Sequence, residues 1–155
     1  MRLRRYAPAD APALSSVYVR SVLGLGPRDY RPDQVSAWAG RAPGPDAMAA
    51  RLGDGRVVIV ALGEEDQRVG FCDLEPDGHI DLLYCVPEVA GTRVAAALLE
   101  RIETEARAQG IARLYTEASE AARRLLLRHG FTELARRDFT LDSVPIHNFA
   151  MEKRL

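Results

Sequence analysis

A single α/β domain, with a central mixed sheet and helices on both faces, is predicted across residues 1–155 by three observations. The run Val57-Val58-Ile59-Val60-Ala61-Leu62 is continuously apolar and bounded by Gly55 and Gly63, so it reads as a central strand covered on both faces. Glu75-Pro76-Asp77-Gly78 joins two further strands: proline sets the turn's φ and glycine takes the position that needs φ above zero. Between later strands, Val94, Leu98, Ile102 and Ala106 recur four apart, with Ala95 and Leu99 widening the stripe and Gly110 as the stop. Antiparallel strands followed by a β-α-β crossover make the sheet mixed.

The chain opens with Asp10 to Leu23, where Leu14, Val17, Tyr18 and Val22 keep helical spacing and Pro8 and Asp10 suit a helix start. After the break at Gly24-Leu25-Gly26-Pro27, Arg31 to Ala39 reads as a short helix with proline in its first turn, and Pro45-Asp46 suits the start of a third. Strands follow at Arg56 to Leu62, Arg68 to Leu74 and Ile80 to Val86, then the helix from Thr92 to Gln109. Ala112 to Glu117 is a short strand. Ser119 caps a helix that runs through Leu125-Leu126-Leu127 to His129 and ends at Gly130-Phe131. Thr132 to Leu141 and Ile146 to Arg154 complete the sheet. Residues 1–8 are given no element.

Composition narrows the function. Of 155 residues, 47% are hydrophobic and 28% charged, enough for one buried core. Lys+Arg 21 against Asp+Glu 22 leaves a net charge of -1, so no field draws in nucleic acid or an anionic membrane. Cys72 and Cys85 are too few for a disulfide scaffold and lack metal-ligand spacing, which points to a reducing cytoplasm and to no metal. No signal-peptide core or membrane-spanning run is read. Every basic residue except Lys153 is arginine, which removes the P-loop and leaves Schiff-base chemistry only a terminal lysine. H-E-x-x-H, Cys-x-x-Cys, G-x-S-x-G and G-x-G-x-x-G are all absent.

The chemical signal lies between Asp81 and Arg101. A strand feeding a helix through Ala90-Gly91-Thr92 aims free backbone N–H groups at one spot, where the helix dipole favours an anion. Ala95, Ala96 and Ala97 either let a phosphate-bearing ligand approach the backbone or merely allow close helix packing. If the turn after Glu75 carries its usual bulge, Asp73 sits opposite Asp81 with Cβ atoms about 4.5–5.5 Å apart. Two like charges there would raise one pKa and make a better base, whereas an arginine partner or a one-residue slip removes the effect. His79 precedes the same strand and offers a proton relay or a surface position. Tyr30 and Trp38, eight apart around a short helix, fit either an acceptor pocket or the core.

Tyr84-Cys85-Val86-Pro87-Glu88-Val89-Ala90-Gly91-Thr92-Arg93-Val94-Ala95-Ala96-Ala97-Leu98-Leu99 resembles the acyl-CoA motif of the GNAT N-acetyltransferases. It departs from that motif at Ala90, where the family has Gln or Arg, and at Arg93, where it has Gly. Leu125-Leu126-Leu127-Arg128-His129-Gly130-Phe131 and Asn148-Phe149-Ala150-Met151-Glu152-Lys153 resemble later parts of the family, and Tyr30-x-x-x-Gln34-x-x-x-Trp38 is similar to the N-terminal helices of a bacterial YafP-like branch.

The resemblance implies a GNAT-like acyl-CoA N-acyltransferase fold and an acetyl-CoA-dependent transferase. Its acetyl group would pass to a primary amine of a small molecule or peptide by direct attack in a ternary complex. A catalytically inactive acyl-CoA-binding or regulatory domain is the alternative, and a homodimer is compatible with either. It further implies that the CoA arm lies beside the backbone of Leu83, Tyr84, Cys85 and Val86. The diphosphate would sit on Gly91, Thr92, Arg93, Val94, Ala95 and Ala96, with Ser119 placed among the cofactor contacts. Arg93 has two readings: a guanidinium reaching the phosphates, or bulk crowding the turn. Asp81 takes the position of the family's catalytic carboxylate, and Asp73, Tyr30 and Trp38 are the acceptor contacts. Leu126 stands where many members place a tyrosine that protonates the leaving thiolate, which leaves either another group, such as Tyr84, Tyr115 or water, as the acid or a reaction with no dedicated acid.

Overall fold

The computed structural model describes residues 1–155. In chain order the elements are β1 (Arg2–Arg5), α1 (Ala11–Leu25), α2 (Pro32–Ala39), α3 (Pro45–Leu52), β2 (Val57–Leu62), β3 (Arg68–Leu74), β4 (Leu83–Cys85), α4 (Val94–Ala108), β5 (Arg113–Ala118), α5 (Glu120–Arg128), β6 (Thr132–Leu141) and β7 (Val144–Arg154). Two antiparallel sheets result, in the orders β1-β2-β3-β4 and β5-β7-β6.

The sheets meet at one point. His79 and Tyr115 form a parallel bridge, Ile80 N–H donates to Tyr115 O at 2.9 Å and Tyr115 N–H donates to Gly78 O at 3.1 Å. Beyond it β4 and β5 separate, and β4 has β3 as its sole strand neighbour. The mixed character of the sheet therefore resides in this short parallel junction, and the divergence after it opens a cleft.

β2 is buried at every residue, as its unbroken apolar run requires. The helices cover both faces of the first sheet because side chains alternate along a strand. A Cβ on Gly70 would meet Leu98 of α4 and Cys85. Its neighbour Phe71 turns the other way, to Tyr84, whose ring stacks on Tyr18 of α1 with centroids 4.1 Å apart. Leu98, Leu99 and Ile102 are fully buried, so the predicted stripe of α4 is the face that enters the core. No helix is long and apolar enough to cross a membrane.

Three local expectations are corrected or refined. Residues 2–5 form a strand, which their arginines conceal: Arg4 donates to both oxygens of Asp10, at 2.7 and 2.8 Å, rather than to solvent. Asp10 stands at the start of α1, as expected, but its carboxylate bonds none of that helix's amides. It is 0% exposed and accepts from Ala7 N–H, Arg4 and Arg68, tying the chain start to β3. The strand expected over Ile80 to Val86 is regular only from Leu83 to Cys85, since its first residues are drawn out of register by a side chain described below.

Candidate active site

The cleft between β4 and β5 holds two connected cavities. One, of about 250 Å³, is bordered by Tyr18, Asp81, Glu117, Leu126, Phe139 and His147. The other, of about 340 Å³, runs from the same strands to the start of α4 and is bordered by Gly91, Thr92, Ala95, Arg28, Arg124 and Arg128. Tyr30, Trp38, Leu83, Tyr84, Ser119 and Ala122 line both and mark where they join.

The second cavity has a polar floor made of backbone. Leu82 O accepts Asp73 N–H at 3.1 Å and Val86 N–H donates to Val69 O at 2.9 Å, so even-numbered residues of this stretch face β3. Strand alternation then turns the N–H and C=O groups of Leu83 and Cys85 to the open edge. At the far end the amides of Gly91, Arg93, Ala95 and Ala96 have no acceptor in the chain, while Val94 N–H is taken by Thr92 Oγ1 at 3.3 Å. Four free N–H groups at a helix start, with Gly91 at φ 76°, form a cradle suited to a diphosphate.

Arg93 does not crowd this cradle. Its guanidinium lies along α4 on Glu100, at 2.9 and 3.0 Å, and is 73% exposed, so it neither blocks the turn nor reaches into the cavity. Val86, Val94 and Ala96 are buried behind the lining, and of these only Ala96 offers a free amide. Ser119 borders both cavities, and its hydroxyl also caps α5 by accepting Ala122 N–H at 3.3 Å.

Asp81 lines the smaller cavity. Its Oδ2 accepts from Arg51 Nη2 at 2.6 Å, Arg51 Nε at 3.0 Å and Arg56 Nη1 at 3.1 Å, which leaves Oδ1 without a partner in the chain. Asp73 is not opposite Asp81: its backbone pairs with Leu82, one residue on. The two carboxylates meet instead through Arg56 Nη1, 2.7 Å from Asp73 Oδ2. Burial pushes Asp73 up to about 6, against the pull of Leu82 N–H and Arg56, and the Asp81 charge adds to the rise. At 0% exposure and bordering neither cavity, Asp73 cannot be an acceptor contact.

His79 is clamped between carboxylates, Nδ1 to Glu75 and Nε2 to Glu117, each at 2.8 Å. The Glu117 and Glu75 bonds push it up to about 9, so it is a held cation rather than a free relay. Glu75, His79 and Asp81 place donor atoms within 4.8 Å of one another. The guanidinium groups on Asp81 nevertheless oppose a metal cation there.

Tyr30 and Trp38 both border the cleft, with centroids 5.5 Å apart. The Tyr30 hydroxyl donates to His147 O and accepts Glu120 N–H, both at 3.1 Å, bridging β7 and α5. Of the candidate acids, Tyr115 is turned away: its hydroxyl donates to Asp77, and that bond pushes it up to about 12. Tyr84 stands at the junction of the cavities, its pKa raised well above the usual range by burial. Leu126 is 1% exposed and fills the wall where the resemblance would place a tyrosine.

Sequence reasoning missed Glu117, His147 and Tyr18 in the smaller cavity and Arg28, Arg124 and Arg128 in the larger. Arg124 and Arg128 lie four apart on α5, the one available signal, because that spacing puts them on one helix face. Arg124 is held by Asp29 at 2.8 and 2.9 Å, whereas Arg28 and Arg128 have no acidic partner.

A sheet that splits at one strand pair, with an unpaired edge and a helix-start cradle facing the split, defines an acyl-CoA N-acyltransferase fold. The chain belongs to the GNAT family of N-acetyltransferases: the family model for the acetyltransferase (GNAT) domain matches residues 27–153. It is of the YafP type, being 30% identical over 132 residues to the uncharacterized N-acetyltransferase YafP of Escherichia coli (strain K12), across 84% of this chain and 81% of that protein. Among solved structures, a GCN5-related N-acetyltransferase of Rhodopseudomonas palustris superposes with a TM-score of 0.90 at 33% identity, covering 99% of this chain and 95% of that one. A phosphinothricin acetyltransferase of Sinorhizobium meliloti, solved in complex with acetyl-CoA, shares the fold with a TM-score of 0.79 at 22% identity, covering 99% of this chain and 88% of that one.

Proposed function

We propose that the protein transfers an acetyl group from acetyl-CoA to a primary amine of a small molecule or peptide, by direct attack within a ternary complex. The observation that carries this reading is the meeting, in one cleft, of the unpaired β4 edge, the free amides at the start of α4 and an aromatic cavity with a carboxylate at its wall. Acetyl-CoA supplies the activated acetyl thioester.

The chain's own groups have separable tasks. The amides of Gly91, Arg93, Ala95 and Ala96 hold the diphosphate, and Arg28 and Arg128 add positive charge at the outer rim. The Leu83 and Cys85 edge accepts the amide-bearing arm of the CoA as an added strand would be accepted, and an N–H there polarises the thioester carbonyl. An alkyl amine has a pKa of about 10.4, so it arrives protonated and must lose a proton before attack. Asp81 Oδ1, the free oxygen of its carboxylate, binds the ammonium and takes that proton. Attack on the carbonyl forms the amide and breaks the thioester C–S bond, and Tyr84, its proton retained by burial, stands at the junction to protonate the departing CoA thiolate, which leaves as the free thiol. Tyr30, Trp38 and Tyr18 close the cavity around the acceptor's apolar body. Two free cysteines, Cys72 and Cys85, support a reducing, cytoplasmic setting.

Thiol release from acetyl-CoA across a panel of amines, run beside a thermal-shift titration with acetyl-CoA, tests the reading. The expected result is stabilisation by acetyl-CoA together with amine-dependent thiol release. Stabilisation with no release from any amine would favour the acyl-CoA-binding domain instead. Absence of stabilisation at saturating ligand would overturn both.

A further inference from the structure

We propose that Asp73 is a positioning residue whose carboxylate sets which edge of β4 faces the cleft. In an extended strand, consecutive N–H groups point to opposite sides. Here the consecutive amides of Asp81 and Leu82 both point at Asp73 Oδ1, at 2.8 and 2.7 Å, so the backbone folds in on that oxygen. The strand then leaves with Leu82 O and Val86 N–H toward β3, which assigns the Leu83 and Cys85 backbone to the open edge. One residue earlier, the same capture turns Asp81 into the acceptor cavity, and Arg56 Nη1 ties the two carboxylates together at 2.7 and 3.1 Å. Fully buried, Asp73 touches no substrate and acts through the backbone it holds.

The proposal rests on the reading that the β4 edge receives acetyl-CoA. Its test compares wild type, Asp73→Ala and Asp73→Asn by NMR amide exchange at Asp81 and Leu82 and by calorimetric binding of acetyl-CoA. The alanine variant is expected to release both amides to fast exchange and to weaken acetyl-CoA about 10-fold or more, while asparagine, which keeps an acceptor oxygen, stays within about 3-fold of wild type. Should the alanine variant not fold, Asp73→Ser replaces it, since its shorter hydroxyl cannot serve both amides, and the same order is expected. A folded alanine or serine variant with protected amides, or with acetyl-CoA affinity within about 3-fold of wild type, would overturn the proposal. Failure of wild type to bind acetyl-CoA would overturn the functional reading, and the amide exchange would still decide whether Asp73 holds the backbone.

Discussion

Gly78 lies so close to Arg113 that a Cβ placed on it would come within 2.1 Å of the Arg113 carbonyl oxygen. The contact sits at the one junction between the two sheets, beside the His79–Tyr115 bridge, and Gly78 also holds φ at 96°. Glycine there meets two demands at once: the turn needs a left-handed residue, and the neighbouring strand needs the space.

Gly78→Ala should therefore cost more than conformational strain alone, about 3 kcal/mol or more of unfolding free energy. Gly55→Ala provides the control, because Gly55 has φ 103° but nothing within 4 Å of an added Cβ. Its expected cost is about 1–2 kcal/mol. Urea unfolding of both variants measures the difference, and equal losses would show that the contact with Arg113 carries no weight.

The cradle predicts an asymmetry between two arginines. Arg93→Ala should leave the acetyl-CoA dissociation constant within about 2-fold, since that side chain lies on Glu100 and in solvent. Arg128→Ala removes an unpaired cation from the cavity rim and should weaken binding about 10-fold, an effect that shrinks as salt is raised. Isothermal calorimetry at two ionic strengths distinguishes them.

Stability should depend on pH through His79. Its pKa is raised from 6.5 to about 9 by Glu117 and Glu75, so the folded state binds the proton more tightly than the unfolded chain. The resulting stabilisation is fully present below about pH 6.5 and is lost as pH rises through about 9. Thermal midpoints recorded from pH 6 to 10 should show wild type losing its advantage over His79→Asn across that window. Parallel curves would rule out the histidine as the cause.

Asp81→Asn retains the shape of the side chain and loses its ability to accept a proton. Turnover with a responsive amine should fall about 100-fold while acetyl-CoA affinity stays near wild type, because Asp81 lines the smaller cavity and not the cradle. Steady-state rates beside calorimetric binding separate the two. A loss confined to acetyl-CoA binding would remove the residue from its assigned role.

Local pattern alone determined much of this protein. The apolar run of β2, the Pro76-Asp77-Gly78 turn, the four-residue stripe of α4 and the cap at Ser119 each depend on neighbours in the chain, and each stands where its pattern places it. The same local logic located the helix-start cradle and, through the motif around it, the family. Tertiary structure alone decided the rest. β1 is a strand because Arg4 finds Asp10 and the backbone pairs with β2, and no periodicity in Arg2-Leu3-Arg4-Arg5 announces that. Asp73 lies outside both cavities because Arg56 and the consecutive amides of Asp81 and Leu82 converge on it from two separate segments. Glu117, His147 and Arg28 became cleft residues through the divergence of β4 from β5, a relation between strands distant in sequence. Hydrogen bonds within an element repeat with its period and can be read along the chain, whereas side-chain capture of backbone and charge pairing across elements depend on where the folded segments meet.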